Sequence, residues 1–404
     1  MPVGGTAFYG GMVPATKIYA GATLVWSAVP PPTPDILTEY FDVDISDLTT
    51  HTLTDDVGSL SSAFVQMLSG GSHSSGSGRI GTTANLPANN ACGVALTATD
   101  TLTFYTGPNT QKAMGQVWRY IGAAAGNYEF INRGSFAVSF TTSDSSISIP
   151  VSSIVDVDKC VPILNGVKNA STSVSDWEGA TFAVHMDASD NLVVSRNNTA
   201  LAATVYVTVV EFTGSAWSVG HAVSSNHDTA DEVVTLNTAC DGVSGSTFDV
   251  VDWETAFIVA SLEGDTNETG IADIRALAIP EVATTQVKCY INSVDGTARN
   301  DGDAWIHVVK CNDMVVKREF NNNYPEGNNT YTTVSRPVGA AIVPVNQQAL
   351  EWFVSSSGTG TAHMRGSSGA VITGTQEISS WVHRSGNSVH ISYGVINLSG
   401  LVTE

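Results

Sequence analysis

Apolar residues along this chain come in short runs that alternate with polar ones at every second position. Val205-Tyr206-Val207-Thr208-Val209, Trp305-Ile306-His307-Val308-Val309 and Val389-His390-Ile391-Ser392-Tyr393 show the pattern plainly. A period of two sends successive side chains to opposite faces of a strand, and the β-branched and aromatic content of the runs suits a pleated surface. Turn residues (Gly, Asn, Ser, Asp) separate the runs at roughly 8–12 residue spacing, the rhythm of antiparallel sandwiches. Helical periodicity is almost missing. The pattern therefore predicts an all-β chain of tandem antiparallel β-sandwich, jelly-roll-like domains.

The runs also repeat on a longer scale. Four segments read as hairpins with an aromatic residue in the first strand: Val117-Trp118-Arg119-Tyr120-Ile121 turning into Tyr128–Ile131, the run around Tyr206 turning into Trp217–Val219, the run opened by Trp305 turning into Met314–Val316, and Trp381-Val382-His383 turning into Val389–Tyr393. A second signature precedes each one, an apolar strand marked by Phe64, Phe182, Phe257 or Phe353 and followed by Arg79, Arg196, Arg275 or Arg365. In a chain with so few basic residues, four arginines at matching points suggest a shared pairing role. The middle copies share Asp176-Trp177-Glu178 and Asp252-Trp253-Glu254, echoed by Glu351-Trp352. Self-similarity of this kind indicates duplicated domains, which divide as 36–124, 125–213, 214–312 and 313–404. The recurring tryptophans, Trp118, Trp305 and Trp381 among them, are expected as core anchors, because an indole supplies much of the apolar area of a small sandwich.

Residues 1–35 differ from the rest. Apolar alternation around Gly21, from Lys17-Ile18-Tyr19-Ala20 to Thr23-Leu24-Val25-Trp26, predicts a tight hairpin, and Pro30-Pro31-Pro32-Thr33-Pro34 predicts a stiff spacer. Tyr9-Gly10-Gly11, a Tyr-x-Gly motif, followed by Lys17 to Trp26 resembles the short opening of many minor tail proteins of long-tailed bacteriophages. The resemblance implies an assembly anchor carried by Tyr9, Tyr19, Gly21 and Trp26, a tail or tail-fibre role in host attachment, other virion structural proteins as partners, and a homo-oligomer, commonly a trimer.

Composition narrows the chemistry. The chain of 404 residues is long enough for several cores, 42% hydrophobic and only 14% charged, with 17 Lys and Arg and a net charge of −21. Nucleic-acid binding rests on basic clusters, and none exists. Cys92, Cys160, Cys240, Cys289 and Cys311 are odd in number and widely spaced, which suits reduced core residues rather than a disulfide framework or zinc site. Neither a leader pattern nor a membrane-length apolar run is present, so the expectation is synthesis in a host bacterial cytoplasm, no membrane insertion, and a place in the virion.

Short catalytic signatures (GxSxG, HExxH, the phosphate loop) are missing, and the expectation is a protein without catalytic or cofactor-binding residues. His73 sits in a Ser/Gly loop; His185, His307, His383 and His390 fall at alternating strand positions, while His221 and His227 flank a turn. Asp42-Val43-Asp44-Ile45-Ser46-Asp47, Asp156-Val157-Asp158 and Asn300-Asp301-Gly302-Asp303 carry the hard oxygens that calcium takes, with a solvated strand face as the plainer account. The expected function is a structural virion protein. The alternatives are a head fibre, collar or capsid decoration, a carbohydrate-binding adhesin recognising a host surface glycan, and, least favoured, a depolymerase.

Overall fold

The computed structural model describes residues 17–20, 23–27, 32–45, 48–70, 80–81, 92–106, 111–169, 181–197, 199, 201–225, 231–235, 252–263, 277–283, 286–291, 303–321, 328–356, 367–375, 377–383 and 389–403. The chain is all-β, built of several small antiparallel sheets arranged as tandem domains. It separates into an N-terminal body, Met1–Thr33, and a body spanning Pro34–Glu404. In the first, β1 (Lys17–Ala20) and β2 (Thr23–Ser27) pair antiparallel, with Ile18 opposite Trp26 and Tyr19 opposite Leu24.

The second body contains one strand order four times. The first module has β3 (Ile36–Ile45), β4 (Thr50–Thr52), β5 (Ala63–Met67), the two-residue β6 (Ser69–Gly70) and β7 (Ile80–Gly81), β8 (Cys92–Ala98), β9 (Thr101–Thr106) and β10 (Gln111–Tyr120). The second has β11 (Ile131–Phe140), β12 (Ser146–Pro150), β13 (Cys160–Asn169), β14 (Ala183–Met186), β15 (Asn191–Ser195) and β16 (Ala203–Glu211). The third has β17 (Trp217–Ser225), β18 (Asp231–Thr235), β19 (Ala256–Leu262), β20 (Leu277–Ala283), β21 (Gln286–Ile291) and β22 (Asp303–Cys311). The fourth has β23 (Val315–Asn321), β24 (Asn328–Val334), β25 (Gln348–Ser356), β26 (Ser367–Gly374), β27 (Glu377–His383) and β28 (Val389–Asn397).

Setting aside β6 and β7, the last strand of every module lies between the first and third, and the fifth lies between the second and fourth: β3-β10-β5 with β4-β9-β8, β11-β16-β13 with β12-β15-β14, β17-β22-β19 with β18-β21-β20, β23-β28-β25 with β24-β27-β26. A 3-10 turn leads into each third strand. It spans Leu60–Ser62, Val157–Lys159, Trp253–Thr255 and Val345–Gln347. Three of the turns are capped from the preceding residue, whose side chain accepts a backbone N–H two residues on: Ser59 from Ser61 at 3.2 Å, Asp156 from Asp158 at 3.1 Å and Asp252 from Glu254 at 3.0 Å.

This order corrects the four expected hairpins. The strand holding Trp118 pairs with β3 and β5, and the returning segment, β11, pairs with β16. A central strand has both edges occupied by its own module, so the chain leaving it must cross to the next one. The fourth segment differs again, since Trp381 lies in β27 and the chain passes there from the fifth strand to the last. Phe64 and Phe257 do correspond, each being the second residue of its third strand, but that place is taken by Val161 and Ala349 in the other modules. Phe182 instead precedes β14, and Phe353 is the sixth residue of β25.

The central strand of each first-third-last sheet is buried on both faces, so that β16 shows no exposed position and β22 only half-exposed Asp303 and Lys310. One face meets the partner sheet of its own module, as where Val205, Val207 and Val209 of β16 cluster with Val184, Leu192 and Val194. The other faces a core shared by all four modules. Trp118 stacks between Phe64 (5.6 Å) and Phe257 (5.3 Å), Phe64 meets Phe130 edge-on at 5.0 Å, and Phe212 joins Phe257 to Trp217. Alternation along one strand thus serves two cores.

Candidate functional site

The side chains with the most chemistry gather at the junctions between modules. At each junction a residue on the first strand of one module binds a backbone carbonyl in or beside the 3-10 turn of the module before it. Asn132 Nδ2 donates to the carbonyls of Ala63 (3.0 Å) and Leu60 (3.2 Å), and His221 Nε2 lies 3.1 Å from the Asp158 carbonyl. Arg318 donates to the Trp253 carbonyl at 2.6 Å and to that of Ala256. Thr38 donates to the Gln348 carbonyl, so the fourth module is joined to the first and the order of contacts is cyclic. Tyr40 adds a bond to the same carbonyl at 3.1 Å. Four different side chains do one job, because a carbonyl accepts from any donor that reaches it.

Behind this ring of contacts lies a buried polar layer. Arg318 Nε and Nη2 donate to the two carboxylate oxygens of Glu351, each at 2.8 Å, and Glu351 also accepts the Ile258 N–H of the third module. Gln116 bonds the backbone of Leu350 in the fourth. His221 and His307 approach at 2.9 Å between their Nδ1 atoms, with His307 Nε2 3.3 Å from the Val184 carbonyl of the second module. His221 therefore lies mid-strand in β17 rather than beside a turn. Its burial was not legible from sequence.

Of the residues considered as calcium ligands, Asp42, Asp44 and Asp156 are engaged by groups of the protein itself, and Ser46 and Asp47 lie outside the described residues. Lys112 Nζ sits 2.6 Å from Asp42 and 3.3 Å from Asp44, and Tyr331 of the fourth module donates to the second oxygen of Asp42 at 2.8 Å. The ammonium also lies 5.1 Å from the ring centres of Tyr331 and Trp381. Burial disfavours the charge on Lys112, but the Asp42 hydrogen bond and the negative charge around it hold the pKa above the ordinary lysine value. A protein cation thus occupies this acidic site. Asp156 caps a turn, and Asn300 and Asp301 lie outside the described residues. Among the described residues no three His, Cys, Asp or Glu side chains converge as metal ligands.

Of the expected repeat arginines, Arg196 is described and Arg79, Arg275 and Arg365 lie outside the described residues. Arg196 is buried, 1% exposed, and donates to the carbonyls of Asp144 (3.0 Å), Thr141 and Leu201 while its guanidinium lies over Phe140 and Phe182, 5.5 Å from the latter ring. The pairing of Phe182 with Arg196 is thus a real contact inside the second module. Tyr9 and Gly21 lie outside the described residues, as does His73; for Tyr19 and Trp26 the strand positions alone are described. Trp305 stacks on His185 at 3.7 Å, and Phe353 packs in the third module's cluster.

A recess of about 220 Å³ opens where β8 and β9 meet β11 and β16. Tyr105 and Tyr206 stack at 4.5 Å along its wall, with Phe136 and the hydroxyls of Thr97, Ser135 and Thr208. Its lining is neutral, part aromatic and hydroxyl-bearing and part aliphatic, with Val94, Ala95, Leu96, Ala137 and Val207 completing it. Comparison of the chain with protein-family models, curated proteins and solved structures found no match.

Proposed function

We propose that this chain is a non-enzymatic structural component of a bacteriophage virion, a minor tail or tail-fibre protein that contributes to tail assembly and host attachment. Each pair of sheets is read as one β-sandwich of jelly-roll-like kind, and the N-terminal hairpin as the anchor. The observation that carries the proposal is the use of chemistry-bearing side chains: Thr38, Asn132, His221 and Arg318 fasten one module to the next rather than facing a common cleft. Four modules closing on one aromatic core suit a rigid building block, and a separate two-stranded N-terminal body suits attachment. Partner virion proteins and a homo-oligomer, a trimer by the resemblance, complete the reading. The test is to image and fractionate particles carrying the full chain and a variant lacking residues 1–33. The full chain is expected on the tail and the shortened one in the unbound fraction; a full chain missing from purified particles sinks the proposal, and one found on the head supports the head-fibre or decoration alternative.

The recess beside Tyr105 and Tyr206 favours one further reading, a carbohydrate-binding adhesin, because stacked aromatics with neutral hydroxyls suit a sugar. Glycan arrays probed with the wild type and Tyr105→Ala separate the two: loss of a specific signal in the variant supports it, and silence with both removes it.

A further inference from the structure

The hydrogens available to His221 and His307 set a property of the junction between the second and third modules. The two rings make three polar contacts: Nδ1 to Nδ1 at 2.9 Å, His221 Nε2 to the Asp158 carbonyl at 3.1 Å and His307 Nε2 to the Val184 carbonyl at 3.3 Å. A carbonyl can only accept, so each Nε2 contact needs its own N–H, and the Nδ1 contact needs one hydrogen between two nitrogens. Three hydrogens are required. Two neutral imidazoles bring two, a pair holding one extra proton brings three, and two imidazolium rings bring four, which would set two N–H groups against each other across 2.9 Å.

The surroundings give a charge little help. His221 and His307 are 3% and 2% exposed, and none of these ring contacts is to a carboxylate. From the turn, Asp158 offers its carbonyl and a weak attraction; from β14, His185 opposes a positive charge on His307; from β22, Trp305 covers His185. Beyond the end of β19, the Glu263 carboxyl is engaged by Ser195. Burial pushes both rings of the pair below the ordinary imidazole value of 6.5.

We propose that the junction between the second and third modules is an acid-released latch, closed while His221 and His307 hold at most one proton beyond their two neutral rings and opened when both rings are imidazolium. The corresponding place in β10 carries Gln116, and the junction of the third and fourth modules uses Arg318 with Glu351, so this junction differs from both in resting on histidines. Opening also lets Glu263, held neutral beside Ser195 of the second module, give up its proton, which opposes the latch. With Glu263→Gln in place, the open junction takes up two protons below the ordinary imidazole pKa where the closed one takes none or one. In that background the open fraction rises progressively as pH falls below ~6.5, towards a limit of about 10- to 100-fold per pH unit.

The test is hydroxyl-radical footprinting of the full chain carrying Glu263→Gln between pH ~7.5 and ~4.5, reading Trp305 and His185 at this junction against Trp352 in the fourth module. Labelling at Trp305 and His185 is expected to change little above pH ~6.5 and to rise below it, towards ~10-fold or more per pH unit, while Trp352 stays level. In the His221→Gln/His307→Gln variant the rise is expected to vanish. A flat profile at Trp305, an equal rise at Trp352, or an unchanged rise in the variant each overturns the proposal. Should the variant not fold, C2–H exchange of the wild-type imidazoles decides the matter: rings that titrate at the ordinary value in the intact protein overturn it, and rings held below that value support it.

Discussion

Gln116 and Leu350, 234 residues apart, exchange two hydrogen bonds across the junction that returns the fourth module to the first: the amide of Gln116 donates to the Leu350 carbonyl at 3.0 Å and accepts its N–H at 3.0 Å. One planar amide thus satisfies both backbone groups of one buried residue, and its nitrogen also lies 2.8 Å from Gln66. Replacing Gln116 with Leu keeps the bulk and leaves both groups unpaired. At about 1–3 kcal/mol for each buried orphan, Gln116→Leu is expected to lower the unfolding free energy by roughly 2–6 kcal/mol in chemical denaturation. Gln116→Glu is expected not to rescue it, since the carboxyl keeps an acceptor for the Leu350 N–H but turns oxygen towards the Leu350 carbonyl and Gln66 Oε1.

Closure of the second body also brings its ends together. The Asp35 N–H donates to the Leu401 carbonyl at 2.6 Å, and Thr403 donates to the Asp35 carboxylate. A circular permutant of residues 34–403, with its old ends joined by a short glycine linker and new ends opened between the exposed Ala123 and Ala124, is expected to fold within about 2 kcal/mol of the parent, since an exposed connection contributes few contacts. Circular dichroism and thermal melting check this. Failure to fold would show that chain order matters beyond closure.

Two glycines let β8 meet β13. Gly166 has φ +101°, and a Cβ on it would fall 1.9 Å from the Cys92 carbonyl oxygen; a Cβ on Gly93 would fall 2.0 Å from the Tyr206 ring. Backbone strain and a backbone clash act together at Gly166, so Gly166→Ala is expected to cost about 3 kcal/mol or more. Gly93→Ala meets a side chain and is expected to cost less, while loosening the Tyr105–Tyr206 stack. Denaturant midpoints of the two variants give the order; a Gly166→Ala protein as stable as the parent contradicts it.

Stability should also fall on the alkaline side. Burial is the main cause raising the Glu263 pKa, pushed up from 4.5 to about 7 and aided by Asp303, while the Ser195 hydroxyl opposes the shift. The folded state therefore prefers the neutral acid. This contribution is complete below pH 4.5, is eroded as pH rises, and is lost once pH passes about 7. At ~1.4 kcal/mol per unit the whole effect is roughly 3 kcal/mol. Glu263→Gln is expected to match the parent near pH 4 and exceed its stability at pH 8; equal gains at both pH values would assign the effect to another cause.

What the chain alone determines is local. Alternating apolar runs specify strands wherever Val, Ile, Tyr and Trp recur with period two, and the repetition is legible as well, because each module needs the same kinds of strand in the same order. The capped turns leave a faint trace in Ser59-Leu60-Ser61, Asp156-Val157-Asp158 and Asp252-Trp253-Glu254. Tertiary structure decides the rest. Trp118 reads as the anchor of one domain, yet it belongs to a core shared by four, since period two reveals that a strand has two faces and not what covers each. The central place of the last strand, which removes the expected hairpins, depends on which edges are already taken. The junction residues leave no signature because their partners are backbone carbonyls, identical at every position, so Thr38, Asn132, His221 and Arg318 become equivalent only when the fold sets them before the same turn.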